Sequence, residues 1–439
     1  MLNSLMSYFG STVTPGQAGN QLWALIYVLI IFTGVSVAVM AMNWLERKAL
    51  AHFQIRLGPM RVGPHGLLQP IADALKLMLK EDIIPAEADQ FVFWVAPLIG
   101  LLAAFTVYTV IPFGPSQAVS DMNIGILFML GVSSLGVLGI VVAGWASNSH
   151  YPLIGALRSS AQMVSYEVAM GLVVVSAILM TSLHGIGMYG VTGNGDTGTL
   201  SMIGIVQAQQ EQHIWFIFKF FPLGLIAFVI FAIAMVAETN RAPFDMAEAE
   251  SELTAGFHTE YSGLRWSLFM LAEYAAMIAV SAIAVTLWLG GWMRPFPNLL
   301  NAPVWEFIFS LFPGLTFVGL AAIAFIGAAR MPAHSFFKIQ RIGLAVFAAA
   351  LGFIALVLLL IAVAGRSADT SVAARFREGI DYVYWFVFKV AVFMYLFIWY
   401  RATWPRYRFD QLMRIGWKVM LPISLGVLVL TAIVGVIFS

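Results

Sequence analysis

Ten long apolar runs divide the chain, and polar segments of varied length separate them. A helix that crosses the hydrocarbon layer, which is about 30 Å thick, needs about 20 mostly apolar residues. A transmembrane barrel would instead show alternating segments of about 10 residues, which this pattern lacks. The runs lie near 23–43, 91–112, 124–146, 162–181, 215–237, 268–290, 306–329, 342–364, 383–400 and 419–438. The pattern predicts an all-α polytopic membrane protein with about ten transmembrane helices.

Composition supports this prediction and limits the chemistry of the chain. Hydrophobic residues make up 61% of the 439 residues, and charged residues only 10%. The first 45 residues contain no Lys or Arg, so the first run lacks the basic segment of a cleaved signal and is interpreted as a retained span. The sequence has no cysteine, which excludes disulfides, thiolate metal sites and iron–sulfur ligation within this chain. Any redox centre must therefore belong to a partner.

The distribution of basic residues predicts the orientation of the spans. Of the 23 Lys and Arg residues, 17 lie in alternate loops, and only four lie in the loops between those. Cytoplasmic loops are enriched in Lys and Arg, so the basic loops are predicted to lie inside and both termini outside. The basic loops are 46–90, 148–161, 238–267, 330–341 and 401–418.

The first basic loop contains an amphipathic pattern over residues 67–80. Apolar residues recur there at spacings of three and four, while Gln69, Asp73, Lys76 and Lys80 occupy the other side. This spacing predicts a helix that lies along the membrane surface or covers a cavity. Two Gly-Pro pairs precede it in GPMRVGPHG and predict defined turns.

The basic loop 238–267 also contains the densest cluster of acidic residues in the chain. Residues 238–260 carry six carboxylates and one Arg, Arg241. Asp245, Glu248 and Glu252 follow helical spacing, whereas Glu250 points elsewhere. If these groups are partly buried, repulsion and desolvation make them share protons as a coupled set. The alternative is a solvated acidic loop, but the adjoining apolar span and the interleaved Ala and Met favour a functional cluster.

Several ionisable residues fall within or beside apolar runs, and three of them are candidates for a polar path. Glu167, Glu273 and Lys389 are expected to face the interior of the bundle, because charge exposed to lipid is costly. They either extend a polar path from the acidic loop or form structural ion pairs. The seven His residues show no metal-ligand spacing, so no metal site is predicted, and His258 beside the acidic cluster is the one singled out for testing.

Four segments together resemble one family of membrane subunits. They are ERKALAHFQIRLGPMRVGPHGLLQPIADALKL, SSAQMVSYEVAMGL, AETNRAPFDMAEAESELTAGFHTEYSG and RATWPRYRFDQLMRIGWKVMLP. In this order they closely resemble the NuoH family, a membrane component of NADH-quinone oxidoreductase, also called respiratory complex I. The resemblance covers nearly the whole chain apart from one internal stretch.

The resemblance implies a subunit in the inner membrane of a bacterium, between the peripheral and membrane arms of a proton-translocating enzyme. Its partners would be subunits of both arms, quinone and membrane lipid, with no nucleic acid. Quinone would be the substrate, and this chain would bind no prosthetic group, because the iron–sulfur clusters and flavin lie in partner subunits. The subunit would form part of the quinone cavity and couple quinone reduction to proton translocation.

The resemblance also assigns roles to individual residues. Quinone-cavity positions are Glu46, Arg47, Arg56, Asp73 and Lys76. Proton-coupling positions are Glu167, Glu238, Asp245, Glu248, Glu250, Glu252, Glu260, Glu273 and Asp410. Basic positions beside that pathway are Arg401, Arg406 and Arg408, and Lys389 is added to them as a buried cation. The ordinary interpretation of the three Arg residues is an anchor at the headgroup level.

The internal stretch at 306–365 departs from the family pattern. It carries two additional apolar runs, which predict an inserted transmembrane hairpin on top of eight family-like spans. The predicted domains are therefore 1–305, 306–365 and 366–439. Two other functions remain open: the anchor of a related membrane-bound hydrogenase or other electron-donor complex, and a stand-alone ion transporter. A transporter of that kind would be expected to show internal repeats, and the sequence shows none.

Overall fold

A computed structural model describes residues 18–115, 117–182, 199–246, 255–295, 303–330, 335–364 and 372–438. Within those ranges every long regular element is a helix. In chain order these are α1 (Ala18–Phe53), α2 (Gln69–Leu79), α3 (Gln90–Thr106), α4 (Gly125–Ala146), α5 (His150–Ser182), α6 (Met202–Glu211), α7 (Leu223–Glu238), α8 (Gly263–Trp288), α9 (Pro303–Arg330), α10 (Ser335–Ala364), α11 (Val372–Thr403), α12 (Phe409–Ile415) and α13 (Leu421–Phe438).

Each predicted apolar run coincides with a helix. In the described part of the chain, nine helical segments are long and apolar enough to cross a membrane. They comprise α1, α3, α4, α5, α8, α9, α10, α11 and the continuous α12–α13 segment, which a π-helical turn at Gly416–Met420 joins. The protein is therefore an all-helical, multi-pass membrane protein, as the pattern predicted.

The remaining run, 215–237, forms a shorter helix than its length suggests. Helix α7 begins only at Leu223 and has 16 residues, which at 1.5 Å per residue is about 24 Å. Pro222 immediately precedes it, and Pro favours a helix start because its nitrogen carries no hydrogen to donate. Upstream, the buried Lys219 Nζ donates to Met180 O and Gln212 Oε1. These contacts hold the residues just before α7 in a non-helical arrangement.

The described residues fall into two compact units. The first comprises Met1–Val39, Lys76–Gly291 and Lys389–Ser439, and the second Met40–Leu75 and Trp292–Phe388. The predicted domains at 1–305, 306–365 and 366–439 remain a prediction.

Helix α5 is the central helix of the first unit. It packs against α4, α7 and α13, while α3 packs against α4 and α8. Small residues allow close approach along α5: a Cβ added to Gly155 would lie 2.8 Å from Gly256 Cα. Small residues at helix contacts are the usual way for backbones to pack closely in membranes, where the hydrophobic effect does not drive helix association. The turn Gly256–His258 is thereby held directly against α5.

The segment after α2 is fixed to the start of α8. The buried Arg265 guanidinium lies 2.9 Å from Asp82 Oδ2 and over the Trp94 ring at 4.2 Å. Ile83 N donates to Ser262 Oγ at 2.9 Å. The predicted amphipathic helix is confirmed as α2, and the apolar side chains Leu68, Ile71, Leu75, Met78 and Leu79 are exposed in this chain.

The second unit is built around the hairpin of α9 and α10. The two helices pack along their length, and Gly314 allows close approach because a Cβ there would meet Leu359 Cγ at 2.5 Å. Phe309 of α9 packs edge-on against Trp385 of α11 at 5.6 Å between ring centroids. Arg294 Nη2 pairs with the buried Asp381 Oδ2 at 3.0 Å.

Candidate functional site

A cavity of about 120 Å³ lies inside the first unit. Residues from α3, α4, α5, α7, α8 and the turn Gly256–His258 line it, and most of them are apolar. The polar side chains on its wall are Ser133, Glu238, Thr239, Asn240, His258 and Glu273. A volume of this size has room for ordered water, and the six polar side chains supply partners for it. The cavity thus contains two of the predicted proton-coupling carboxylates.

Glu273 on α8 is paired with a cation. Arg241 Nε lies 2.7 Å from Glu273 Oε1, with side-chain exposures of 7% and 18% respectively. The guanidinium also stacks 4.3 Å from the ring centroid of Tyr274, a cation–π contact. Arg241 is the one Lys or Arg residue in the acidic segment 238–260, and its partner Glu273 lies on α8.

Glu238, the last residue of α7, has a different environment. Its Oε2 is buried and accepts no hydrogen bond from any residue that the structure describes. It interacts electrostatically with Glu167 of α5, whose Oε1 accepts a hydrogen bond from Ser134 Oγ. A carboxylate oxygen that lacks a donor among the described residues and lies beside a cavity is in position to be satisfied by water or by a proton.

His258 contributes a second unpaired polar atom to the same cavity. Its Nδ1 is buried and has no hydrogen-bond partner among the described residues. The ring packs against Phe257 at 3.8 Å and Phe269 at 5.5 Å between centroids. Burial lowers the pKa of His258 to about 3, so the imidazole is neutral at physiological pH.

Polar residues of α5 hold the turn that carries Arg241. Gln162 Nε2 donates to Ala237 O at 2.8 Å and to Phe244 O at 2.7 Å, and Ser159 Oγ donates to Asn240 Oδ1 at 3.1 Å. Asn240 has a φ of 49°, in the left-handed region that Asn tolerates better than most residues. Ser159 and Gln162 were not among the residues predicted from the sequence. The signal was available, because these two polar residues are three apart in a helix that continues into an apolar run.

Asp245 is paired with the basic segment after α11. Arg406 Nη2 lies 2.9 Å from Asp245 Oδ2, where the side-chain exposures are 35% and 9%. Tyr407 N donates to Pro243 O at 3.2 Å, and the Tyr407 and Phe244 rings lie 5.7 Å apart. Arg406 therefore joins the loop 401–418 to the acidic loop 238–267.

The remaining predicted pathway residues differ in exposure, and three of them lie outside the described residues. Asp410 is exposed in the first turn of α12, Glu260 is partly exposed, and Arg408 is exposed, whereas Arg401 is half-buried at the end of α11. Glu248, Glu250 and Glu252 lie outside the described residues. Their grouping with Asp245 as a coupled set stays a prediction.

Lys389 lies at the opposite end of α8 from Arg241. Its Nζ donates to Leu289 O at 2.7 Å and Gly291 O at 2.9 Å, carbonyls that follow the helix C-terminus. A cation is favourable there because the helix macrodipole is negative at this end. Leu289 follows Glu273 by 16 residues, which is about 24 Å along a helix. The structure does not bring Lys389 to the acidic cavity.

The predicted quinone-side residues of the second unit also form contacts. Arg47 Nη1 lies 2.6 Å from Asp73 Oδ2, and Gln69 Nε2 donates to Asp73 Oδ1 at 3.0 Å. Glu46 is buried. Arg47 and Arg56 line a cavity of about 290 Å³ together with Leu50, Leu57, Gly58 and Pro59. Lys76, in the first unit, is exposed on α2.

The chain is similar to known proteins over nearly its full length. The family model described as NADH dehydrogenase matches residues 26–432. The NADH-quinone oxidoreductase protein NuoH 1 of Koribacter versatilis (strain Ellin345) is 65% identical over 436 residues, covering 99% of this chain and 97% of the relative. The corresponding NuoH 2 of Solibacter usitatus (strain Ellin6076) is 44% identical over 399 residues, covering 89% and 91%. The chain belongs to the NuoH family of NADH-quinone oxidoreductase membrane subunits.

Proposed function

We propose that this protein forms part of the quinone-reduction cavity of a proton-translocating NADH-quinone oxidoreductase and couples that reduction to proton movement through the acidic cavity of its first unit. The observation that carries the proposal is the cavity itself, in which Glu238 Oε2 and His258 Nδ1 are both buried without a partner among the described residues. Buried polar atoms are normally satisfied, so two such atoms facing one cavity favour a water-filled, protonatable site.

In this proposal Glu238 is the group that gains and loses a proton. Glu273 is paired with Arg241 at 2.7 Å, and Glu167 accepts a hydrogen bond from Ser134. Glu238 Oε2 has no hydrogen-bond donor among the described residues. The proton transfer is therefore assigned to Glu238. His258, neutral because of its pKa of about 3, orients water without competing as a cation.

Quinone is proposed to be reduced beside Glu46, Arg47, Arg56 and Asp73 of the second unit. The Arg47–Asp73 pair fixes α2 to the end of α1 within the second unit. Guanidinium groups at a cavity wall stabilise negative charge that develops on a quinone oxygen during reduction. Donors and acceptors held in advance make such stabilisation effective.

The link between the two events is proposed to run along the chain. Helix α2 is continuous from Gln69 to Leu79, and the segment after it is held to the start of α8 by Arg265, Asp82 and Ser262. Helix α8 carries Glu273 and Phe269, which line the acidic cavity. A change at α2 thereby reaches the cavity through packed and paired groups. Close charges interact by about 4 kcal/mol at an effective dielectric constant near 20, enough to bias a two-state element.

The setting of this function is proposed from the family and the charge pattern. Iron–sulfur clusters and flavin belong to partner subunits of the peripheral arm, because this chain has no cysteine to ligate a cluster. The chain is proposed to lie in the bacterial inner membrane, with both termini outside and other membrane-arm subunits and lipid around it. Relatives named as oxidoreductase subunits favour this function over a hydrogenase anchor.

Glu238→Gln tests the proposal in the assembled complex. Removing the ionisable group while keeping its shape is expected to lower NADH:quinone activity and proton pumping together by about tenfold, which corresponds to about 1.4 kcal/mol of activation free energy. NADH oxidation with an artificial acceptor at the peripheral arm should stay unchanged. The control Glu211→Gln replaces an exposed carboxylate at the end of α6 and should match the wild type. Wild-type pumping in Glu238→Gln would contradict the proposal.

A further inference from the structure

Helix α10 contacts the turn segment 58–66 of the second unit in addition to its hairpin partner. Gln340 Nε2 donates to Met60 O at 2.7 Å, and Gln340 is only 6% exposed. A Cβ added to Gly343 would lie 2.2 Å from Pro64 Cγ, so the proline ring rests directly on the α10 backbone. Three residues apart, Gln340 and Gly343 lie on the same side of the helix.

The turn segment has an irregular backbone. Gly63, His65 and Gly66 have φ values of 70°, 57° and 78°, a left-handed region that Gly adopts freely and that is uncommon for other residues, although His tolerates it better than most. Its backbone hydrogen bonds are few: Gly66 N donates to Gly63 O at 3.3 Å and Leu67 N to Pro64 O at 3.1 Å. Backbone of this kind persists when surrounding structure holds it in place.

Support comes from two sides. From α1, Trp44 Nε1 donates to His65 O at 3.4 Å. From the hairpin, α10 supplies Gln340 and the flat surface at Gly343, and α10 itself is packed on α9, which rests on Trp385 through Phe309. The hairpin α9–α10, which is itself packed against α11, therefore holds the turn segment 58–66 in place.

We propose that the hairpin α9–α10 acts as a brace that positions the turn segment 58–66, and with it Arg56 and the start of α2, for quinone binding. Gln340 and Gly343 are its positioning residues. This inference rests on the proposed placement of quinone beside Arg47 and Arg56. Without the contacts from the hairpin, the side chains of the quinone cavity are still present, but the backbone of 58–66 that orients them is no longer held.

The chain offers a matched pair of variants on α10. In the assembled complex, Gly343→Leu is expected to force α10 and Pro64 apart, whereas Gly352→Leu, where nothing lies within 4 Å of an added Cβ, is the control. Gly343→Leu should raise the KM for quinone about fivefold with a smaller change in kcat, the pattern of a lost binding contribution. Amide hydrogen exchange across 58–66 should become faster. The artificial-acceptor activity and Gly352→Leu should match the wild type.

Gln340→Met provides a milder variant that retains the packing and removes the hydrogen bond to Met60. It should raise exchange at 58–66 and the KM in the same direction. Unchanged exchange in both variants would show that α10 does not hold the segment, and faster exchange with an unchanged KM would show that the segment does not affect quinone. Either result overturns the brace. An Arg56→Ala variant separates the two claims. If Arg56→Ala raises the KM for quinone while Gly343→Leu behaves like the wild type, only the brace is contradicted. If the KM is unchanged in Arg56→Ala as well, the proposed placement of quinone is contradicted.

Discussion

Replacing Arg241 with Met will destabilise the assembled complex by about 3–5 kcal/mol, the usual cost of removing one partner of a buried ion pair, and will lower its NADH:quinone activity because Glu273 loses its cation. The guanidinium lies 2.7 Å from Glu273 and stacks on Tyr274, so the change removes a charge and a ring contact together. The rate per flavin with quinone measures the loss of activity. The rate with an artificial acceptor, which does not depend on this membrane subunit, serves as the reference.

A double variant separates charge from shape at this pair. Arg241→Met/Glu273→Gln removes both charges and should recover complex yield and melting temperature relative to Arg241→Met, because no uncompensated charge is left in the apolar wall. Quinone activity should stay low. If the single and double variants are equally stable, the Arg241–Glu273 pair does not have the energetic role assigned to it.

Replacing Arg406 with Ala will have the second largest effect. It removes the cation 2.9 Å from Asp245, which is the more buried member of the pair. We expect a loss of about 2 kcal/mol in stability and about tenfold in quinone activity, below the full cost of breaking a buried pair because Arg406 is about one third exposed. The melting temperature of the complex and its quinone rate measure these two losses.

The same pair predicts an asymmetry. Asp245→Ala should cost less stability than Arg406→Ala, because it leaves a partly hydrated guanidinium instead of a buried carboxylate. Arg414→Ala, at an exposed position of α12, is the matched control and should resemble the wild type. A greater loss in Asp245→Ala would mean that Arg406 depends on the pair more than Asp245 does.

The pattern of apolar residues predicted the helices well because a membrane restricts the structures that a spanning segment can form. A backbone in hydrocarbon must satisfy its own hydrogen bonds, so long apolar runs become helices almost regardless of detail. Residues 215–237 show where this reasoning fails. The apolar run contains Lys219 and Pro222, and the carbonyl partner of Lys219, Met180, lies 39 residues away in the sequence.

The candidate site was less predictable from the residues alone. Arg406 and Asp245 are 161 positions apart, and no periodicity links them. The resemblance drew attention to Glu238 and Glu273, but it could not say that Glu273 is paired and that Glu238 has an oxygen without a described partner. That difference depends on the turn at Asn240, which Gln162 and Ser159 hold from another helix.

Infrared difference spectroscopy of the assembled complex, recorded between oxidised and quinol-reduced states, tests the central claim most directly. If Glu238 changes protonation when quinone is reduced, the spectrum will contain a carboxylic acid C=O band that shifts in heavy water. The band will be absent in Glu238→Gln and present in Glu211→Gln. An identical band in Glu238→Gln would contradict the role of Glu238 as the group that links quinone reduction to proton movement.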